Sequence, residues 1–444
     1  MINVFFSYLR LTMNNNLFTI FYMKKNKDNS NLITKYAISK CRICKSSKIY
    51  PFLDLGSMPI PNGFLSKDEL KNKEYSYPLG ACVCENCWLV QLTHVVPPEI
   101  MFKNYLYIPS TSKTMLEHFR ALVNELIHKY SLTPKDLVID IGSNDGTLLG
   151  YFKEQEIKVL GIDPASNLAQ VAKMRGIDTI DNFFTLKLAK KIKRERGNAK
   201  MITATNVVAH INNLHELIEG VELLLSKDGV FIMEFPYLVD LISKNEFDTI
   251  YHEHLSYFSV LPLVELFKFH KMEIVDLKRT PVHGGSIIVY VSKKSSKYKQ
   301  SSIVKEYINQ EKLKKLNKKS IYDDFSRRVN IIKRDLIDYL QSLKKQKKTI
   351  VGYGASAKGN VLLNYCGINT KLLDYIVDSI PYKQGKYTPG THIPIHPETW
   401  LEKNNPDYAL LLSWNFADEI LQKQIKYREK GGQFIITIPY LRIE

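Results

Sequence analysis

The run Tyr251-His252-Glu253-His254-Leu255-Ser256-Tyr257-Phe258 gathers imidazoles, a carboxylate and phenols in one short stretch. Such a set supplies a base that works near neutral pH, a carboxylate to orient it and hydroxyl donors for an oxyanion. The same residues also suit a solvated polar loop. Three adjacent groups such as His252, Glu253 and His254 rarely converge on one metal ion. His210 follows Asn206-Val-Val-Ala just past a strand-like apolar run, where a histidine is either a satisfied core group or part of a site. His283-Gly284-Gly285-Ser286 carries a further histidine on an open glycine turn into a strand, beside the same pocket.

A second chemistry lies upstream. Cys41-Arg-Ile-Cys44 and Cys84-Glu-Asn-Cys87 each place two thiolates on one side of a tight turn, and together they complete a tetrahedral S4 site suited to zinc. Four protein ligands leave no open position, so the expected metal is structural Zn2+. Cys82 is a spare thiol. The cysteines cluster instead of spreading as a disulfide framework would, which points to a reduced, cytoplasmic setting.

The elements that position these groups start at Leu137-Val-Ile-Asp140-Ile-Gly142-Ser143-Asn144-Asp145-Gly146, an apolar β-branched run that breaks at glycines before a helix. That is a strand, a tight turn and a helix N-terminus. A second strand ends in Asp163, at the spacing of about 20 residues where an acid meets ribose hydroxyls in a βαβ nucleotide site. Alternation continues with helices over residues 167–175 and 185–194, a strand carrying Asp181, and a strand ending at Asn206 on the ligand side. A helix over 214–225, a turn at Asp228-Gly229 and a strand over 230–235, closed by Glu234-Phe-Pro236, follow. Regular alternation predicts a parallel, doubly wound α/β sheet. Asp140 and Asp145 flanking the glycines would repel a pyrophosphate but suit a ligand with an ammonium and a sulfonium, so S-adenosylmethionine fits this loop better than NAD.

Tyr105 and Tyr107 lie two apart on an extended segment and face one side; on sequence alone they read as packing aromatics. Residues 293–348 are lysine-rich and helical, with Ile303, Tyr307, Leu313, Ile321, Phe325, Val329, Ile332, Leu336 and Leu340 at helical spacing, and serve as a connector. Beyond it, Gly352-Tyr-Gly354-Ala355-Ser356-Ala-Lys358-Gly359 and a strand ending in Asp378 form a second βα unit. Its Lys358 suits phosphate oxygens. Two nucleotide-type folds imply two nucleotide-bearing ligands.

At 444 residues and 45% hydrophobic content the chain can fill two or three cores. The net charge of +17 is concentrated enough in residues 293–348 to be a solvated helical face, and is weak support for an anionic partner. The apolar stretches at 4–11 and 17–23 are interrupted by Arg10 and Asn14-Asn15-Asn16 and fall short of a membrane span, and no signal peptide is apparent. Met23 reads as an alternative start, and residues up to about 35 are expected to pack poorly.

Taken together, the paired cysteines, D-I-G-S-N-D-G, N-V-V-A-H, Y-H-E-H-L-S-Y-F, H-G-G-S, G-Y-G-A-S-A-K-G-N, Lys383-Gln-Gly-Lys386-Tyr-Thr-Pro-Gly-Thr-His392 and Ser413-Trp414-Asn415 resemble the nucleotide-sugar C-methyltransferases from about Cys41 to Arg442. The resemblance implies a small N-terminal zinc-binding module, a central class I methyltransferase sheet and a C-terminal Rossmann-like α/β domain that helps hold a nucleotide-sugar. It implies residues 1–37 as an extension, 38–100 as the zinc module, 101–295 as the methyltransferase domain, 296–346 as the connector and 347–444 as the C-terminal domain. It also implies a reaction: methyl transfer from S-adenosylmethionine to a carbon, C-3 by analogy, of a 4-keto-deoxy sugar through an enolate. Cofactor contacts would be Asp140, Gly142, Ser143, Asn144, Asp145, Asp163, Asp181 and Asn206. His254 would be the base, Glu253 its orienting group and Tyr251 the oxyanion donor, with His210 and Tyr105 or Tyr107 lining the pocket. His283, Gly284, Gly352, Gly354, Ala355, Ser356, Lys358, Asp378 and Lys386 would meet the nucleotide-sugar. His252 has no role in the resemblance. A nicotinamide-dependent oxidoreductase and a methyltransferase of nucleic acid or of another small molecule are the rival classes. No nucleic acid or membrane partner is expected, and a monomer is compatible with the sequence.

Overall fold

The computed structural model describes residues 36–102, 110 and 112–444. Residues 1–35, on which the N-terminal expectations fall, and Tyr105 and Tyr107 lie outside the described residues.

Strands β1 (Ile49–Met58), β2 (Tyr77–Cys84) and β3 (Val90–Leu92) form an antiparallel sheet between and beyond the cysteine pairs. The central sheet uses β4 (Leu137–Ile141), β5 (Lys158–Asp163), β6 (Thr179–Asp181), β7 (Ala199–Thr205) and β8 (Leu225–Pro236) in parallel. Strand β9 (Ser256–Tyr257) leaves that domain and pairs with β3, so the first sheet is completed by residues next to His254. Strands β10 (Met272–Thr280) and β11 (Ser286–Lys293) close the central sheet, β11 antiparallel to both neighbours.

The resulting order is β10-β11-β8-β7-β4-β5-β6. The chain winds outward from β4 in both directions, which leaves a switch point between β4 and β7 where loops at the strand carboxyl ends part and a ligand can enter. Strand β4, Leu-Val-Ile-Asp-Ile, is buried from Val138 on, as a central parallel strand covered on both faces must be. The turn expected at Asp228-Gly229 is instead an irregularity inside β8: pairing jumps from Leu225 to Val230 opposite Ala199 and Met201.

The connector is more than a spacer. It breaks into helices Ser302–Leu313 and Lys319–Lys345. The second buries Tyr322, Phe325, Val329, Ile332, Leu336, Leu340 and Leu343, a stripe at helical spacing that packs into the core shared with the flanking domains, while Leu313 is exposed. Phe52 of β1 meets Tyr322 with ring centroids 5.0 Å apart. Buried Glu311 accepts from the Tyr237 hydroxyl at 2.6 Å and from the amides of Val260 and Leu261, which pins the first helix to the central domain.

The last domain has β12 (Ile350–Tyr353), β13 (Ile376–Asp378), β14 (Ile395–Pro397), β15 (Tyr408–Leu411), β16 (Gln433–Ile436) and β17 (Arg442–Ile443), in the order β14-β13-β12-β15-β16-β17. All are parallel except β17. This is the Rossmann-like arrangement that the second βα unit predicts.

Candidate active site

The carboxyl ends of β4, β5, β7 and β8 form one edge. Gly142 (φ 73°) and Gly146 (φ 76°) turn the chain after β4, and the amides of Gly142 and Ser143 bond back to Ile162 at 2.8 and 3.2 Å. Asp163 accepts from the Asn144 amide through one oxygen and from the Ala165 amide through the other, both at 2.8 Å. Asp181 lies beside Asp163 in register and is exposed. Asp140 is buried and accepts from Thr203 Oγ1 at 2.6 Å; burial raises its pKa to about 7.

One expected cofactor contact takes another task. Asp145 is buried, holds Thr147 Oγ1 at 2.7 Å and pairs with Arg175 at 2.8 Å, so its carboxylate fastens the loop to the following helices. The Ser143 hydroxyl lies over Gly161, where an added Cβ would approach it to 2.6 Å. Asn206 (φ 57°) bonds through its amide to the Glu234 carbonyl at 2.7 Å. Its side-chain oxygen and Glu234 Oε1 are buried without a partner among the described residues. The edge therefore offers acceptors: Asp140, Asp163, Asp181, Asn206 and Glu234. Such a set fits a ligand made of an ammonium, a sulfonium and ribose hydroxyls, and opposes a pyrophosphate.

Beyond this edge stands the histidine group. The chain leaves β7 through a turn of 3₁₀ helix, Val208–His210, and the Ala209 carbonyl accepts from the Leu255 amide at 2.7 Å. That bond brings His210 and His254 face to face, with centroids 5.1 Å apart and planes 25° apart. Tyr251 lies 4.0 Å from the His254 ring. His254 Nδ1 is 3.0 Å from the Thr249 carbonyl, which can only accept. A neutral ring must then carry its proton on Nδ1, leaving Nε2 as the basic nitrogen. Burial, then the neighbouring His210, holds the His254 pKa well below 6.5, and burial lowers that of His210 to about 4. Thr249 thus sets the tautomer, a task the sequence reading assigns to Glu253. Glu253 is buried and accepts from Asn62 Nδ2 of the N-terminal module at 2.6 Å. His252 turns away, with Nε2 3.2 Å from the Tyr77 carbonyl.

Lys358 corrects a further expectation. Its helix begins after Ser356, whose hydroxyl caps Gly359 N at 3.0 Å and reaches the Leu412 carbonyl at 2.9 Å. Asp378 takes the Ala355 amide at 2.7 Å, and Gly354 packs on Ser413 while Gly352 packs on Ile376. These internal bonds occupy the Ala355 and Gly359 amides. Lys358 Nζ sits 4.5 Å over the Trp414 ring of its own domain, buried and without a hydrogen-bond partner among the described residues, with Asp248 and Glu246 of the central domain as its charged neighbours. Trp414 Nε1 donates to Asp248 at 2.7 Å, and a Cβ on Gly284 would lie 2.7 Å from Glu246 Oε1 and 3.1 Å from Trp414. Burial pushes Glu246 up to about 7 and Asp248 to about 6, and lowers Lys358, against the attraction of those acids. His283 (φ 57°) precedes Gly284, its pKa lowered to about 4 by burial and then by Lys358. Lys386 lies near enough to Glu69 to help lower its pKa.

The sequence reading missed Asn62, Thr249, Glu246 and Asp248. It also missed His118, whose Nε2 meets Glu234 Oε2 at 2.7 Å. Glu234 was likewise not among the expected contacts, although its place at a strand end was a local signal.

At the cysteines, Cys41 Sγ and Cys87 Sγ are 3.4 Å apart, as are those of Cys44 and Cys84, and all four sulfurs lie within 4.8 Å of one another. A tetrahedral zinc with bonds of about 2.3 Å has sulfurs about 3.8 Å apart, so the set fits the ion. Each knuckle turns through a positive-φ residue just after its second cysteine, Lys45 (57°) and Trp88 (66°).

Over 406 residues the chain is 36% identical to C-methyltransferase NovU of Streptomyces niveus, a match covering 91% of this chain and 97% of the relative. The chain belongs to the C-methyltransferase family. This C-methyltransferase matches a zinc binding domain over residues 41–102, a methyltransferase domain over 115–276 and a C-methyltransferase C-terminal domain over 281–439. It uses S-adenosylmethionine and carries a structural zinc at the four cysteines. Among solved structures, an Anabaena variabilis S-adenosylmethionine-dependent methyltransferase is 14% identical, with a TM-score of 0.33 over 44% of this chain and 98% of that one. Magnesium protoporphyrin IX methyltransferase of Synechocystis is 12% identical, with a TM-score of 0.33 over 43% and 91%. The class I fold of the C-methyltransferase rests on its own strand order. Among the described residues no helix is long and apolar enough to cross a membrane.

Proposed function

We propose that the C-methyltransferase acts on a nucleotide-linked 4-keto-deoxy sugar, placing the methyl on the carbon beside the ketone, C-3, through an enolate. The observation that carries this reading is the Nδ1 contact of His254 with the Thr249 carbonyl, which leaves Nε2 as a neutral base. His254 Nε2 takes the proton from the substrate carbon, and the C–H electron pair moves into an enolate whose charge rests on the C-4 oxygen. Tyr251 donates to that oxygen, and the buried Lys358 ammonium adds positive potential there with His283 and Gly284 at the pocket wall. Asp140, Asp163 and Asn206 hold the methyl donor, which supplies an electrophilic methyl on a sulfonium. The enolate carbon forms the new C–C bond, and the C–S pair stays on sulfur. His210 shields the base from water by its stacked ring.

The test is solvent exchange. In deuterated water with S-adenosylhomocysteine bound, deuterium should wash into the carbon beside the ketone of a nucleotide-linked 4-keto-deoxy sugar. Exchange at no carbon across a panel of such sugars, while methyl transfer to one proceeds, would remove the enolate.

Asp140 gives a pH dependence for donor binding. The ionised carboxylate is the form that attracts a cation, and burial raises its pKa to about 7. S-adenosylmethionine affinity, measured by calorimetry, should therefore be level above that pH and weaken as pH falls through it, by up to about tenfold per unit. A flat profile from pH 8 to 6 would show that Asp140 does not face the donor's charge.

A further inference from the structure

The N-terminal module grips the reacting segment residue by residue. Tyr77 O meets His252 Nε2 at 3.2 Å, and Asn62 Nδ2 donates to Glu253 Oε1 at 2.6 Å. Arg42, inside the first zinc knuckle and buried, donates through Nη1 to the Leu255 carbonyl at 2.8 Å, which also takes the Leu92 amide at 3.0 Å. Ser256 and Tyr257 then pair with Gln91 and Val90 as β9. From the other side the central domain holds His254 through Thr249 and the Leu255 amide through the Ala209 carbonyl.

Asn62 stands on the loop Pro59-Ile60-Pro61-Asn62-Gly63-Phe64, wedged between domains. Asn360 of the C-terminal domain donates to the Pro61 carbonyl at 2.7 Å, and Lys383 Nζ lies 5.5 Å over the Phe64 ring. Gly63 N closes the turn on the Ile60 carbonyl at 2.9 Å. The loop is thus fixed by the C-terminal domain on one side and presents an amide donor to a buried carboxylate on the other.

We propose that Asn62 is a positioning residue for methyl transfer. Its amide fixes the Glu253 carboxylate, and with it the backbone turn that aims His254. The zinc module is then part of the active-site frame, joined to the chemistry through Asn62. This rests on the reading of His254 as the base.

Asn62→Asp tests it, because the side chain keeps its shape, loses its donor and sets a carboxylate against Glu253. Asn62→Ala is the second variant, free of that repulsion. Both are assayed with labelled S-adenosylmethionine and the best acceptor from the nucleotide-sugar panel, with S-adenosylhomocysteine calorimetry and thermal unfolding alongside. Both variants should lose tenfold or more in kcat, Asn62→Asp the more, with the S-adenosylhomocysteine Kd within twofold and the melting temperature nearly unchanged. A kcat within twofold for Asn62→Asp, while His254→Asn is inactive, overturns the role of Asn62 and leaves the base assignment standing. Equal loss of kcat and of S-adenosylhomocysteine binding also overturns it, since the residue would then be holding the fold. Full activity in His254→Asn would remove the base itself, an outcome visible apart from either.

Discussion

His254→Asn should lower turnover by about 10² to 10⁴, the range expected when a positioned base is removed, while S-adenosylmethionine and acceptor bind nearly as in the unaltered enzyme. Asn keeps a planar polar group of similar reach and removes the basicity. The Nδ1 contact to Thr249 and the stack on His210 fix the ring, so the loss should fall on kcat and leave KM little changed. Deuterium exchange into the acceptor should vanish with it. The unaltered enzyme carries a pH signature as well. Its His254 pKa is held well below 6.5, so the neutral base persists through neutrality and the acid limb of kcat lies below that value. Exchange that survives His254→Asn at the original rate would pass the role to His210 or to His118, which Glu234 supports.

Loss of the metal should be the most damaging change to the fold. Cys84→Ala removes one of four sulfurs that lie within 4.8 Å of one another. Structural zinc sites bring about 10 to 16 kcal/mol of apparent binding free energy to the domains they hold. Here that free energy holds β2 and β3 against each other, and through β3 it holds β9 beside His254. Metal analysis should give about one zinc per chain in the unaltered protein, as a single S4 site requires, and none in the variant. The variant should melt at a much lower temperature and transfer no methyl. An unchanged melting curve in reduced, zinc-free protein would rule out the structural role.

Local patterns carried much of the fold. The glycine turn after β4, the acid ending β5 and the paired cysteines are short-range features whose geometry follows from neighbouring residues, and they placed the central sheet and the metal. What the sequence concealed is where side chains point once distant segments meet. Asp145 looked like a ligand acid until Arg175 came to lie against it. Lys358 follows a glycine loop whose sequence suits phosphate, yet its buried ammonium sits on Trp414 with Glu246 and Asp248 of the central domain as its charged neighbours. Asn62 and Glu253 touch only because the zinc module folds across the chain, and no periodicity records such a contact. The partner that sets the His254 tautomer is a backbone carbonyl, a group every residue possesses, so residue type could not reveal it. Lysines on the connector contributed to the charge of +17, while its apolar stripe, also visible in the sequence, fixed the helix in the core.

The most direct test of the proposed reaction is where the methyl goes. Enzyme, S-adenosylmethionine labelled with carbon-13 in its methyl, and a panel of nucleotide-linked 4-keto-deoxy sugars are incubated together, and the product is read by carbon NMR. The account predicts a label in the range of a methyl bonded to carbon, correlated with C-3, the ring carbon it proposes beside the ketone. A label in the methoxy or N-methyl range, or on any ring carbon other than C-3, would contradict it.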